Sequence, residues 1–328
     1  MAPSGGRVFF SHTRRSLVDE DEIRLLSVGI DIGSSTSHLA FSRVVLERAD
    51  TRYVVASREV LFESAILLTP YAAGETIDTA VLGAFLEAQY GLAGIGAGEI
   101  DSGALILTGT ALRRANARAI GELFAGAAGK FVSVSAGDGM EAVLSAHGSG
   151  SVALSAAVEG DVMNIDLGGG TTKIARCRRG EIVDVTAVDI GARLIAVDAA
   201  GRLVRIEPAG RRFGAESGVA LELGERPGEA ALDRLAARMA ARLAEVVRGE
   251  DRDPATRALL RLDPLKPAAP PAILTFSGGV AEYLDARAPG GPAHGDLGPR
   301  LAAGIRGRLA EWGPEIRPAR ARIRATVI

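Results

Sequence analysis

The chain has 328 residues, 47% of them hydrophobic and 24% charged, with a net charge of −2. That size allows a sizeable core and suggests two domains or subdomains, while the balanced charge and the lack of a basic stripe exclude the electrostatic footprint of a nucleic-acid binder. The single cysteine, Cys177, cannot form an internal disulfide or build a Cys-rich zinc or iron–sulfur site, and no stretch reaches the ~18 apolar residues that span a bilayer.

Residues 1–26 read as a polar arm, rich in charge at Arg14, Arg15, Asp19, Glu20, Asp21 and Glu22 and without an apolar signal core. A soluble, cytoplasmic protein is expected, with no membrane partner. Regular structure is expected from near Leu25. The run Leu26-Ser27-Val28-Gly29-Ile30-Asp31-Ile32 predicts a buried strand ended by Gly33. His38 to Leu46 and Tyr53 to Leu61 alternate apolar and polar residues, which predicts an antiparallel meander. Thr76 to Tyr90 predicts a helix, with Ile77, Val81, Leu82, Phe85 and Leu86 on one face. A buried strand at Ala104 to Leu107, a helix at Ala111 to Ala125, a strand at Lys130 to Ser135 and a short helix at Gly139 to His147 follow.

The second half repeats the theme. Asp161 to Asp166 predicts a strand, Gly168-Gly169-Gly170 its turn, and Thr172 to Cys177 the returning strand, with a third strand at Glu181 to Asp189. Glu229 to Arg248 is the clearest helix. Leu232, Leu235, Ala236, Met239, Leu243, Val246 and Val247 form its stripe, and Gly249 ends it. Residues 250–271 carry Pro254, Pro264, Pro267, Pro270 and Pro271 and read as a surface loop or linker. Ala272 to Phe276 predicts a strand, and Leu297 to Trp312 a helix. Ala325 to Ile328 reads as the opening of another strand, so the second lobe is expected to be incomplete at its C-terminal end.

Three glycine-rich turns carry the chemistry. The first is Gly29-Ile30-Asp31-Ile32-Gly33-Ser34-Ser35-Thr36: a strand presents a carboxylate, and a glycine turn then exposes N–H groups beside small hydroxyls, a concave anion site. Asp31 is placed to hold Mg²⁺ through water, since that ion keeps much of its hydration shell. Gly33, Ser34, Ser35 and Thr36 are the candidate phosphate contacts. The second turn, Asn164-Ile165-Asp166-Leu167-Gly168-Gly169-Gly170-Thr171-Thr172-Lys173, restates the first 135 residues later, counted from Asp31 to Asp166. Asp166 is its candidate metal ligand and catalytic carboxylate. Gly168, Gly169, Gly170, Thr171, Thr172 and Lys173 are its candidate phosphate contacts. Three successive glycines carry a high entropic cost, which makes sense where backbone presses against a ligand. The third turn, Thr275-Phe276-Ser277-Gly278-Gly279-Val280-Ala281-Glu282, offers Gly278 and Gly279 as a flat seat for a nucleoside. Neither a Walker A loop nor a dinucleotide fingerprint is present.

As a set, these turns resemble the actin/Hsp70/sugar-kinase ATPase superfamily over roughly residues 26–328. The resemblance implies an α/β, actin-like (ribonuclease H-like) fold of two duplicated lobes of mixed sheet with flanking helices, over 27–155 and 156–328. It implies ATP/ADP and Mg²⁺ as cofactors. Ser135-Ala136-Gly137-Asp138-Gly139-Met140-Glu141-Ala142 resembles the segment that orients the attacking water in that superfamily. Asp138 is the first candidate and Glu141 the second, with helix capping the equal alternative for Asp138.

Leu107-Thr108-Gly109-Thr110-Ala111 and Ser135 to Leu144, collinear with the three turns, narrow the resemblance to the EutA family of ethanolamine ammonia-lyase reactivating factors. That resemblance implies a chaperone-like ATPase whose partner is the coenzyme B12-dependent lyase. ATP binding and hydrolysis would release damaged cobalamin so that intact adenosylcobalamin can enter. It leaves a homodimer and association with a bacterial microcompartment open. His12, His38, His147 and His294 are scattered and suggest no cobalamin ligand. The competing readings are a small-molecule kinase of the sugar-kinase branch, for which no acceptor motif is visible, and a non-enzymatic actin-like scaffold.

Overall fold

The computed structural model describes residues 22–33, 36–70, 76–107, 131–135, 137–284 and 295–320. The expected helix at 111–125, Ser34, Ser35 and the run at 325–328 lie outside these residues.

The first apolar run forms strand β1 (Glu22–Ile32), which pairs antiparallel with β2 (Thr36–Ala49). β1 begins before the expected Leu25 because β2 extends to Ala49, so that even Glu22 finds a partner in Glu47. β3 (Arg52–Glu63) completes the meander, and the short β4 (Leu67–Leu68) pairs with the start of β2. Helix α1 (Thr79–Ala93) starts after the expected Thr76 because Asp78 caps it. The Asp78 carboxylate accepts from the N–H groups of Ala80 and Val81, and Gly94 closes the helix in the left-handed region. β5 (Ser102–Leu107) and β6 (Phe131–Ser135) then add parallel to β1, giving the order β3-β2-β1-β5-β6. Strand period 2 turns Val28, Ile30 and Ile32 onto one core with Leu39, Phe41, Leu82, Leu86 and Leu105.

Helix α2 (Asp138–Gly148) and helix α3 (Ser151–Ala157) follow. Then β7 (Val162–Leu167), β8 (Thr172–Arg178) and β9 (Glu181–Val188) form a second antiparallel meander. A small hairpin, β10 (Ile195–Val197) with β11 (Leu203–Ile206), and helix α4 (Pro208–Glu216) come next. The stripe read from the sequence forms α5 (Glu229–Arg248) and is buried as expected, with Gly249 as its left-handed end. Leu235, Met239 and Leu243 are among its fully buried residues. Each such side chain contributes about 1.5–3 kcal/mol relative to exposure.

The proline-rich segment 250–271 is more than the expected surface loop. Asp253 caps a short helix, α6 (Pro254–Arg257), Leu259 and Leu265 are buried, and Leu260 bridges to Val188 of β9. Prolines dominate its composition, but these leucines anchor it to the second sheet. β12 (Ile273–Ser277) runs parallel to β7, and α7 (Ala281–Leu284) and α8 (Gly298–Ala310) lead to β13 (Glu315–Ile316), which runs parallel to β12. The resulting order, β13-β12-β7-β8-β9, is the first sheet's order repeated: an antiparallel meander continued by two parallel strands. Cys177 on β8 is fully buried, and burial pushes its thiol up to about 12. No helix among the described residues is long and apolar enough to cross a membrane.

Candidate functional site

The two meanders place their first turns in matching geometry. In the first, Asp31 faces His38 and Ile32 faces Ser37, and the Gly33 N–H donates to the Thr36 carbonyl at 2.9 Å. In the second, Asp166 faces Lys173 and Leu167 faces Thr172, and the Gly168 N–H donates to the Thr171 carbonyl at 3.1 Å. Each carboxylate therefore stands on the penultimate residue of an inner strand, two residues before its glycine. Asp31 and Asp166 are both buried.

The charges converge although they come from both sheets. Burial is the main force pushing the Asp166 carboxyl up, to about 6. Lys173 and a hydrogen bond from Ser277 oppose it, while Glu141 and Asp31 push it further. The two hairpin carboxylates thus feel each other. Lys173 pairs with Glu141, both nearly buried. Burial opposes the Lys173 ammonium, yet Glu141 and Asp166 hold its pKa above the ordinary lysine value. Asp138 does not cap α2: the N-cap is Gly137 with no side-chain bond, and Asp138 instead accepts from Arg261 Nε at 2.8 Å. Arg261 also reaches Asp189 at 3.0 Å.

The remaining candidates divide by what their groups are doing. Thr172 is fully buried, and its hydroxyl donates to the Ile190 carbonyl at 2.7 Å, so that group is engaged by the protein itself. Gly278 has φ +81, and a Cβ there would lie 2.7 Å from Asp166 Oδ1 and collide with the Leu167 carbonyl. The third turn is therefore pressed onto the second. A Cβ on Gly279 would meet nothing within 4 Å, which leaves that backbone with an open side.

Several contributors escaped the sequence reading. Ser277 donates to Asp166 at 2.9 Å and accepts from Asn164 at 3.0 Å, and Asn164 in turn bonds Thr275 at 3.0 Å. Thr275 and Ser151 share a further bond at 2.6 Å. This fully hydrogen-bonded chain runs behind Asp166 through the core, where unsatisfied polar groups would be costly. The signal for it was Asn164, a polar residue inside an apolar strand. The second omission is the segment Ile190 to Arg193. The Ala192 N–H donates to the Gly168 carbonyl at 3.1 Å and the Arg193 N–H to the Gly169 carbonyl at 2.6 Å. Gly191 fits there because a Cβ would strike the Gly169 carbonyl and lie 2.7 Å from the Gly170 carbonyl carbon.

A divalent cation fits the donor set in one way. Asp31, Asp166, Glu141, Asp138 and Asp189 outnumber Lys173 and Arg261, so the site is an anionic one flanked by phosphate-type turns. Among the described residues no group of three or more His, Cys, Asp or Glu is placed to hold a metal by itself. A cation there would need oxygens from water and from a ligand, as Mg²⁺ does at phosphate sites.

A repeated meander-plus-parallel sheet, with one Asp-glycine hairpin in each copy, defines a protein of the actin-like ATPase fold. The Aquifex aeolicus member of the Ppx/GppA protein family shares it at a TM-score of 0.50 and 12% identity, covering 93% of this chain and 96% of that one. That likeness shows the fold alone. The family model for ethanolamine utilisation protein EutA matches residues 23–328, and the chain belongs to that family. It is 35% identical over 313 residues to the ethanolamine ammonia-lyase reactivase EutA of Escherichia coli (strain K12), and 34% identical over 312 residues to that of Salmonella typhimurium (strain LT2). In both cases the match covers 93% of this chain and 66% of the relative's length.

Proposed function

We propose that the chain binds ATP with Mg²⁺ between its two Asp-glycine hairpins and, as a reactivase, couples the nucleotide cycle to release of damaged cobalamin from ethanolamine ammonia-lyase. The observation that carries this reading is the electrostatic coupling of Asp31 and Asp166, two buried carboxylates brought together from opposite copies of the repeat. Asp31 and Asp166 would hold the cation through water. The turn N–H groups that follow Gly33 and Gly168, whose own N–H groups close the two hairpins, would take phosphate oxygens, and Gly278 and Gly279 the nucleoside. Bound Mg²⁺ would supply neutralisation of phosphate charge, which an anionic site otherwise repels.

Positioning supplies most of the catalysis in phosphoryl transfer. Of the two carboxylates at the start of α2, Asp138 is held by Arg261, whereas Glu141 is held by Lys173 beside the second turn. An arriving phosphate competes for the Lys173 ammonium and so releases Glu141 to orient water. This favours Glu141 over Asp138 for that role. The two relatives named as reactivases support the choice of partner. Lobe closure on the nucleotide would change the surface offered to the lyase.

The test mixes the protein with lyase inactivated by damaged cobalamin, with and without ATP, and measures released cobalamin. ATP-dependent release is expected, and release independent of ATP would overturn the coupling. Asp166→Ala should abolish hydrolysis while circular dichroism and elution volume stay parental. Hydrolysis at the parental rate in that variant would remove Asp166 from the site.

A further inference from the structure

We propose that Arg261 is a positioning residue of this site, fixing the first turn of α2 against the segment that clasps the Gly168–Gly170 turn. The inference rests on the nucleotide reading above and extends it to a stretch outside all three glycine turns.

The guanidinium of Arg261 joins two carboxylates from different elements. It donates to Asp138, the first residue of α2, at 2.8 Å and to Asp189, at the exit of β9, at 3.0 Å. Its own backbone is fixed to the same strand. The Arg261 N–H donates to the Ala187 carbonyl at 2.8 Å, the Asp189 N–H donates to the Leu259 carbonyl at 2.8 Å, and Leu260 bridges to Val188. Asp189 is followed directly by Ile190 to Arg193, whose backbone holds the Gly168 and Gly169 carbonyls. One side chain therefore spans from the helix that carries Asp138 and Glu141 to the clasp on the phosphate-type turn.

Helix α2 does not need Arg261 for its seat. Ala146 of that helix is packed with Ala175, Cys177 and Ile273 in a separate apolar cluster. What Arg261 sets is the direction of the first turn and the place of its carboxylates. It also offsets two negative charges next to Asp31, Asp166 and Glu141, which repel one another in a poorly hydrated site. A planar, two-armed cation does this better than a point charge, since each arm can be fixed to its own carboxylate.

The experiment compares Arg261→Met and Arg261→Lys with the parental protein by steady-state ATP hydrolysis, Mg²⁺-ADP calorimetry and thermal unfolding. For Arg261→Met the expected result is a fall in kcat of about 10- to 100-fold, the scale for a misplaced catalytic group. ADP affinity should stay within about twofold, because ground-state binding is left intact. Arg261→Lys should recover part of kcat by keeping a charge for one carboxylate. In a double-mutant cycle, Arg261→Met should add little to Asp138→Asn, since both break the same link. A parental kcat in Arg261→Met overturns the inference alone, as does a loss in which kcat, ADP affinity and thermal stability fall together. If Arg261→Met does not fold, Arg261→Lys decides by the same split between kcat and ADP affinity. A parental protein that binds no ADP overturns the nucleotide reading and this inference with it.

Discussion

The two hairpins share a register but not a means of support. Both place an aspartate two residues before a glycine, and both close the turn with a glycine N–H on the carbonyl three residues later. Behind the first turn stands a side chain: the Thr69 hydroxyl donates to the Gly33 carbonyl at 2.8 Å and shares a bond with Ser37 at 3.0 Å. Behind the second stands main chain: the N–H groups of Ala192 and Arg193 take the Gly168 and Gly169 carbonyls, and Gly278 presses on Leu167 from the other side. A side-chain prop can be removed by one substitution at little cost to the fold. A main-chain clasp cannot, because its donors belong to the backbone and its closeness depends on absent Cβ atoms. Among the described residues, the second turn is the more closely braced half of the site.

The sharpest way to break that comparison is Gly191→Val. The new side chain must displace the Gly169 and Gly170 backbone, and such overpacking against main chain costs about 3 kcal/mol or more. Denaturant unfolding should show a midpoint far below the parental one, with nucleotide binding lost. A parental midpoint would mean that the clasp is loose and the two turns are alike.

The next effect concerns charge. Asp166 has a folded pKa of about 6 against an ordinary value of 3.8. Because the folded value is the higher one, the native protein holds more protons than the unfolded chain between these values. The contribution of Asp166 to the stability of the nucleotide-free protein should therefore be greatest below the lower value and fall as pH rises through the window to about 6. Asp166→Asn removes that dependence and should stabilise the free protein at pH 8 by about 2–3 kcal/mol, the free-energy equivalent of the shift, while abolishing hydrolysis. Unfolding curves at pH 4 and pH 8 check it. A variant no more stable than the parent at pH 8 would show that Lys173 and Ser277 fully offset the burial.

How much of this was legible in the sequence depended on whether a signal was local. Both hairpins were, because Asp-x-Gly after an apolar run specifies strand, carboxylate and turn within a few residues. The α5 stripe was legible for the same reason, its burial following from helical period alone. Arg261 was not. It sits among prolines that read as linker, and its importance comes from Asp138 and Asp189, which only the fold brings near. The capping alternative for Asp138 failed on the same ground: a distant arginine outcompeted a local bond. Thr172 looked like a phosphate contact because a hydroxyl beside glycines usually faces the ligand, but strand alternation turns it inward onto Ile190. The repeat's order could be read, whereas the parallel strands that complete each sheet required knowing which runs become neighbours.

The smallest expected effect sharpens the comparison most directly, because it sets the hydroxyl that props the first turn against the one that seats the clasp segment of the second. Thr172→Val is close to isosteric and leaves the buried Ile190 carbonyl without its 2.7 Å donor. The cost should be about 1–3 kcal/mol, the penalty for a buried group stripped of its partner. Thr69→Val removes the donor to Gly33, a half-buried residue, and the partner of the buried Ser37. A neutral hydrogen bond there is worth about 0.5–1.5 kcal/mol. The Thr69 variant should therefore unfold at nearly the parental midpoint while its Mg²⁺-ADP affinity drops by a few-fold, since the Gly33 turn loses its only hydroxyl prop among the described residues. The Thr172 variant should show the reverse weighting, with stability lost first and affinity lost because of it. Were the two variants to lose stability equally, with affinity falling in step, the distinction between a side-chain prop and a main-chain clasp would not survive.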